Sequence, residues 1–331
     1  MLLIANASYR PRAGIVEITT YHLVFPNVES LALITTTARL GSVSVGARLP
    51  VRVMAAVNLS PESFYKGSVA RTRREVTAQV QKAIEGGASI LDIGGMSTSP
   101  YLMGEVSEEV EAARVRAALR AIVEAVGGTP ISVDTLRASV ADMALRNGAT
   151  IVNDVSGLKN DPEMGNVVRD RGASLLAMAH SSASSSARPI PRILRALRET
   201  LTIAEKAGID RREIVLDPGI GFFREQGLGP AYSPQGVMSW YEWDLEVLAN
   251  LARLKSLGRP IGVGLSRKSF MGRVVDAESP EDRLPASLAA TAIAVMNGAN
   301  LVRAHDVKET VHAVRIAEAV MKRVRRSTRA S

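Results

Sequence analysis

Several short apolar runs in this chain end on residues that can ionise, ligate a metal or hydrogen-bond a ligand. Ile-Val-Leu closes on Asp217, and Gly-Val-Gly-Leu on Ser266, Arg267 and Lys268. Ile-Ser-Val closes on Asp134, Ile-Val on Asn153 and Asp154, and Met-Ala-Ala-Val on Asn58. Asp92 follows Ile-Leu, Met178 precedes His180, and Arg303 with His305 follow Leu-Val. A buried carboxylate is costly unless it is paired or hydrogen-bonded. Acids placed repeatedly at the ends of apolar runs therefore point to chemistry rather than packing.

The residue types narrow that chemistry. Asp134, Asn153 and Asp217 together would satisfy a heterocycle rich in N–H donors, such as an aminopyrimidinone. Any one of the acids also has a plainer reading; Asp134, for instance, precedes a helical pattern and could cap it. Asn58 offers an oxygen to a hydrated magnesium ion or a phosphate, because Mg²⁺ keeps few protein ligands and several waters. Gly94 and Gly95 could turn backbone N–H groups to a ligand, or merely mark a tight turn. Lys268 can aim a charge at a carboxylate or carbonyl at a helix start, where anions bind. Arg303 and His305 are spaced by two, so both side chains face one way from a strand, and phosphate contact suits the pair. His180 sits beside a serine-rich stretch, but no G-x-S-x-G elbow is present to make a hydrolase triad.

These groups must be positioned by regular elements. Apolar runs read as buried strands recur at 51–57, 89–93, 130–134, 150–154, 174–178, 213–217, 260–264 and 300–304. Amphipathic helical patterns fall between them, among them 71–84, 108–126, 138–146 and 192–207. Strands alternating with helices imply parallel pairing and right-handed crossovers. Eight such units without a glycine-rich dinucleotide fingerprint favour an α/β fold of the (β/α)8 TIM-barrel type. Its active site lies at the carboxyl ends of the strands, where the polar residues above fall. Residues 1–50 are rich in Thr, Val, Ile and Ser with local alternation. They read as a β-hairpin extension packing on the barrel of residues 51–322, with 323–331 as a basic tail.

Composition excludes some classes. The net charge is +8 and five basic residues crowd 321–330, yet only 4% of residues are aromatic. That argues against a nucleic-acid stacking platform and suits attraction of an anionic small substrate. There is no cysteine, hence neither a disulfide nor a thiolate metal site. No run is long enough to span a membrane and no signal peptide is evident. The expectation is a cytoplasmic protein.

In order along the chain, 58–64 (NLSPESF), 92–100 (DIGGMSTSP), 132–135 (SVDT), 153–155 (NDV), 217–222 (DPGIGF), 266–270 (SRKSF) and 303–308 (RAHDVK) resemble the motifs of dihydropteroate synthase and the pterin-binding barrel family. The resemblance implies condensation of 6-hydroxymethyl-7,8-dihydropterin pyrophosphate with p-aminobenzoate or a related arylamine. Pyrophosphate leaves first and the amine attacks the pterin methylene. It implies Asp134, Asp217, Lys268 and Asn58 as catalytic groups. Asp134, Asn153, Met178, Asp217, Lys268 and Arg303 would hold the pterin, and Asn58, Arg303 and His305 the pyrophosphate. Thr98, Pro100, Phe222 and Ser269 would line the arylamine site, Asn58 would ligate Mg²⁺, and the protein would be a homodimer through its last helices.

Departures from the motifs cluster in two loops. Ser60 and Glu62 replace Thr and Asp, and Met96, Ser99 and Tyr101 replace Glu, Arg and Gly. Ser99 cannot supply the charge that the family arginine brings to pyrophosphate; Lys66 and Arg224 are candidates to replace it. Segment 223–243, with both tryptophans, is longer than the family link and could pack or wall an acceptor site. The rival readings are a pterin-dependent corrinoid methyltransferase-like protein and a pterin-binding protein without synthase activity.

Overall fold

The computed structural model of the chain describes residues 37–60, 72–96, 106–123, 125–180, 188–222 and 238–330, with side chains as far as Val324. Strands β1 (Thr37–Leu40) and β2 (Val43–Gly46) pair as an antiparallel hairpin. Eight parallel strands follow: β3 (Arg52–Asn58), β4 (Ile90–Gly94), β5 (Ile131–Asp134), β6 (Ile151–Asp154), β7 (Ser174–Met178), β8 (Ile214–Asp217), β9 (Gly262–Gly264) and β10 (Leu301–Ala304). Their order is β8-β7-β6-β5-β4-β3-β10-β9. A parallel bridge between Leu216 and Ile261 joins the two ends, which closes the sheet into a barrel. All eight barrel strands expected from the sequence are present. β5 and β9 begin just after Pro130 and Pro260, which have no N–H to give a ladder.

Helices separate the strands: α1 (Arg73–Glu85), α2 (Glu108–Ile122), α3 (Ala138–Arg146), α4 (Met164–Asp170), α5 (Pro189–Ala207), α6 (Trp240–Ala249), α7 (Ser269–Val274), α8 (Leu284–Met296) and α9 (Val307–Ala330). α1 opens with a capping box in which Thr72 and Glu75 satisfy each other's backbone N–H groups. α5 starts at Pro189, earlier than its periodicity suggests, because proline is tolerated in a first turn. It ends at Gly208, whose φ of +84° supplies the left-handed cap. α9 continues to Ala330, so 323–330 extends this helix rather than forming a separate tail.

Strand alternation divides the core in two. Outward residues such as Val53, Leu91, Val133, Val152 and Leu216 pack under the helices. Inward residues Met54, Ile90, Ile151, Leu176, Val215 and Leu301 form an apolar layer that Ala38, Leu40 and Val45 of the hairpin cover. The hairpin is tied down by hydrogen bonds from Gly41 N–H to Ser174 Oγ at 3.0 Å and from Ser174 Oγ to Glu213 Oε2 at 2.8 Å. Residues 1–36, the rest of the expected extension, lie outside the described residues.

Candidate active site at the barrel mouth

Two positions beyond the apolar layer, the inward residues become polar. Ile90 is followed on its face by Asp92, Ile151 by Asn153, Val215 by Asp217 and Leu301 by Arg303. Asp92, Asp134 and Asn153 are buried. Arg303 donates from Nε to Asp92 Oδ2 at 2.6 Å and from Nη2 to Asp134 Oδ2 at 3.0 Å. Asn153 Nδ2 donates to the same Asp92 Oδ2 at 3.0 Å. Asp92, to which sequence reasoning gave no role beyond its strand end, is thus the hub. Its two-residue offset from Ile90 was the available signal.

The second half of the mouth gathers on β8, β9 and β10. Asp217 pairs in register with Met178, which is buried beside it. Its Oδ1 accepts from the N–H of Gly219 at 2.7 Å. Burial pushes Asp217 up to about 6, against that hydrogen bond and the charges of Lys268 and Arg303. Burial likewise pushes Asp134 up to about 7 despite Arg303. Lys268 Nζ lies 4.1 Å from the centre of the Phe222 ring. Its stem crosses Gly221 (φ +86°), where a Cβ would come within 2.8 Å of Lys268 Cδ. Gly221 N–H is held by Asp244 of α6 at 2.8 Å. Ser269, half-buried, opens α7.

His305 joins the strand-end groups to Asn58. Burial and the Arg303 charge push it down to about 3, so the ring is neutral. Asn58 Nδ2 approaches Nε2 at 3.1 Å and Ser266 Oγ approaches Nδ1 at 3.0 Å. With the amide N–H donating, Nε2 accepts and Nδ1 carries the proton. Asn58 is thereby turned so that its carbonyl oxygen is the atom suited to a cation.

Other residues singled out in the sequence do different work. Arg267 turns away from the mouth, at a φ of +56°. It grips Asp306 through two 2.8 Å bonds and the carbonyls of Pro280 and Glu281 at 2.9 and 2.8 Å. Asp154 folds its own loop, accepting from Ser156 N–H, Ser156 Oγ and Leu158 N–H. Gly95 allows α2 to approach, since a Cβ there would meet Glu111 O and Val115 at 2.9 Å. His180 is exposed. Trp240, Tyr241 and Trp243 pack against the core from α6, with Arg192 5.7 Å from the Trp243 ring. Thr98 and Pro100, expected at the arylamine site, lie outside the described residues, as do Lys66, Ser99 and Arg224.

This arrangement offers a donor-rich ring two carboxylates and an amide, offers an anion a guanidinium and an ammonium, and offers a cation the Asn58 oxygen. Comparison with known proteins agrees in kind. The profile of the family described as pterin binding enzyme matches residues 54–305. The dihydropteroate synthase of Bacillus subtilis is 35% identical over 269 residues, covering 81% of this chain and 88% of the relative. The Xanthomonas albilineans dihydropteroate synthase, solved with 4-aminobenzoic acid, superposes with a TM-score of 0.74 at 33% identity, over 87% of this chain and 98% of the other. The same enzyme in complex with 7,8-dihydropteroate gives 0.71 at 33% identity, over 86% and 98%.

Proposed function

The chain belongs to the pterin-binding enzyme family, and from that premise we propose that it is a transferase of the dihydropteroate synthase type. It condenses 6-hydroxymethyl-7,8-dihydropterin pyrophosphate with p-aminobenzoate, or a related arylamine, in folate biosynthesis. The single observation that carries the reading is the buried hydrogen-bonded network of Asp92, Asp134, Asn153 and Arg303 facing Asp217 and Lys268 across one barrel mouth.

Each step has its groups. Asp134, Asn153 and Asp217 accept hydrogen bonds from the pterin, Met178 packs beneath it, and Arg303 lies over it. The C–O bond between the pterin methylene and pyrophosphate then breaks, and pyrophosphate takes the electron pair. Arg303 and Lys268 stabilise the anion that departs, and preorganised charge of this kind is usually the largest catalytic term. Asp134 and Asp217 disperse the positive charge left on the ring. The arylamine nitrogen forms the new C–N bond and releases its proton to water. Phe222 and Ser269 flank Lys268 and suit the arylamine side.

Asn58 fits a magnesium ion that keeps water and pyrophosphate oxygens as its other ligands. His305 orients its carbonyl oxygen, and such ions need few protein ligands. When bound, the ion supplies neutralisation of the pyrophosphate charge. Ile293 and Met296 of α8 and Ile316, Val320 and Val324 of α9 are exposed apolar residues. They support pairing of two copies through these helices. Among the described residues no helix is long and apolar enough to cross a membrane, in keeping with work in the cytoplasm.

The test offers purified protein both substrates and follows pyrophosphate. Release that requires the arylamine is expected. Tight pterin binding with no arylamine-dependent release would make the chain a binding protein instead.

A further inference from the structure

We propose that Asp92 is a positioning residue that sets which ring the mouth accepts, by holding the Asn153 amide with its oxygen toward the cavity. The inference rests on the pterin reading of the site.

An amide has a donor end and an acceptor end of nearly equal shape, and only its neighbours decide which way it faces. Asn153 sits at the end of β6, with Asp92 on the inward face two strands away. Asp92 Oδ2 takes Asn153 Nδ2 at 3.0 Å and Arg303 Nε at 2.6 Å. A carboxylate ion-paired with a guanidinium can only accept. It therefore claims the NH₂ end of Asn153 and leaves Oδ1 for the ligand. Asp92 itself is 0% exposed, so it acts through Asn153 rather than on the ring.

The consequence is a mouth whose amide and two carboxylates all accept. A ring bearing a 2-amino group and ring N–H groups meets acceptors with donors. A 2-oxo ring of the same outline presents an oxygen where the amine was, and two acceptors then face each other. A site built to pair a polar group rejects the analogue lacking it far more strongly than an apolar pocket rejects a size change. Asp134 and Asp217 supply part of that rejection. Asn153 adds to it only while its amide stays turned, and Asp92 is the residue that turns it.

Two substitutions separate this role from a structural one. Asp92→Asn can keep an oxygen at the Oδ2 place, whereas Asp92→Ala removes the acceptor and leaves Arg303 paired with Asp134. Calorimetry at pH 7.5 would measure binding of 6-hydroxymethylpterin and of its 2-oxo analogue to each protein. Wild type should prefer the amino ring by about 10³-fold or more. Asp92→Asn should keep most of that ratio. Asp92→Ala should lower it at least about tenfold, weakening the amino ring while the oxo ring holds or gains. A ratio unchanged in Asp92→Ala, with both rings weakened alike, would reduce Asp92 to a scaffold residue and overturn the proposal.

A second measurement on unsubstituted protein stands apart from folding of the variants. Selective ¹⁵N-asparagine labelling should show the Asn153 side-chain N–H protons protected from exchange without ligand. Rapid exchange would overturn the proposal. Wild type that binds neither ring, with protected Asn153 protons, would instead overturn the pterin reading and leave the amide orientation standing.

Discussion

The two ends of one barrel use the same strands in opposite ways. At the closed end, Met54, Ile90, Ile151, Leu176, Val215 and Leu301 point inward and are covered by Leu40 and its hairpin. Two residues further along, about 6–7 Å in a strand, the inward positions carry Asp92, Asn153, Asp217 and Arg303. The closed end is apolar. The mouth buries Asp92 Oδ1, Asp134 Oδ1 and Ser132 Oγ without a partner among the described residues. Unpaired buried polar atoms cost stability, so the mouth is held ready for a ligand by an end that carries the packing.

That contrast can be broken from either side. The largest effect expected is at the mouth. Lys268→Met should lower kcat/KM by about 10²–10³-fold, as loss of one preorganised charge does, with the melting temperature nearly unchanged. A melting temperature that falls steeply would mean that Lys268 serves the fold. Leu40→Ala should show the inverse: about 3 kcal/mol less stability in urea unfolding and an unchanged KM. A raised KM there would couple the two ends.

Arg267→Lys sharpens the division within the mouth itself. The variant keeps a charge but loses the two-pronged grip on Asp306. Loss of about 2 kcal/mol in stability with kcat/KM within a few-fold of wild type would place Arg267 with the scaffold. A large kinetic loss would return it to the site.

The smallest effect is one of pH. Asp134 and Asp217 have pKa values raised on folding to about 7 and about 6. Their contribution to stability is therefore present below the unfolded value near 4 and lost as pH rises through 6–7. His305 is lowered to about 3. Its contribution is present above about 6.5 and lost as pH falls toward 3. Between pH 4 and 6 His305 offsets only one of the two acids, so the free protein should lose stability as pH rises through that range. Ring affinity depends on the ionised acids and should weaken as pH drops from 7.5 to 5.5. Calorimetry beside urea titrations over that range checks both; affinity that follows stability would erase the distinction.

Most of this was legible in the sequence for a physical reason. A parallel strand buried on both faces writes itself as an apolar run, and a barrel gathers what lies at the run ends. Asp134, Asn153, Asp217, Lys268 and Arg303 were picked out that way, and the fold brings them to one end of the barrel. Partnerships were not legible, because they depend on which way a side chain leaves its strand end. Arg267 and Lys268 are adjacent, yet one serves the scaffold and the other the mouth. Asp154, next to Asn153, likewise turns outward to fold its own loop. Asp92 reads as one more strand-end acid until the pairing of β3 with β4 on one side and β10 on the other puts it within reach of Arg303.

The most direct measurement is the affinity of 6-hydroxymethyl-7,8-dihydropterin pyrophosphate for wild type and for Asp217→Asn at pH 7.5. Asparagine relieves a costly buried charge but turns one acceptor partly into a donor. The account predicts an affinity at least about 100-fold weaker in a protein as stable as wild type or more so. Equal affinity in the two proteins would contradict it.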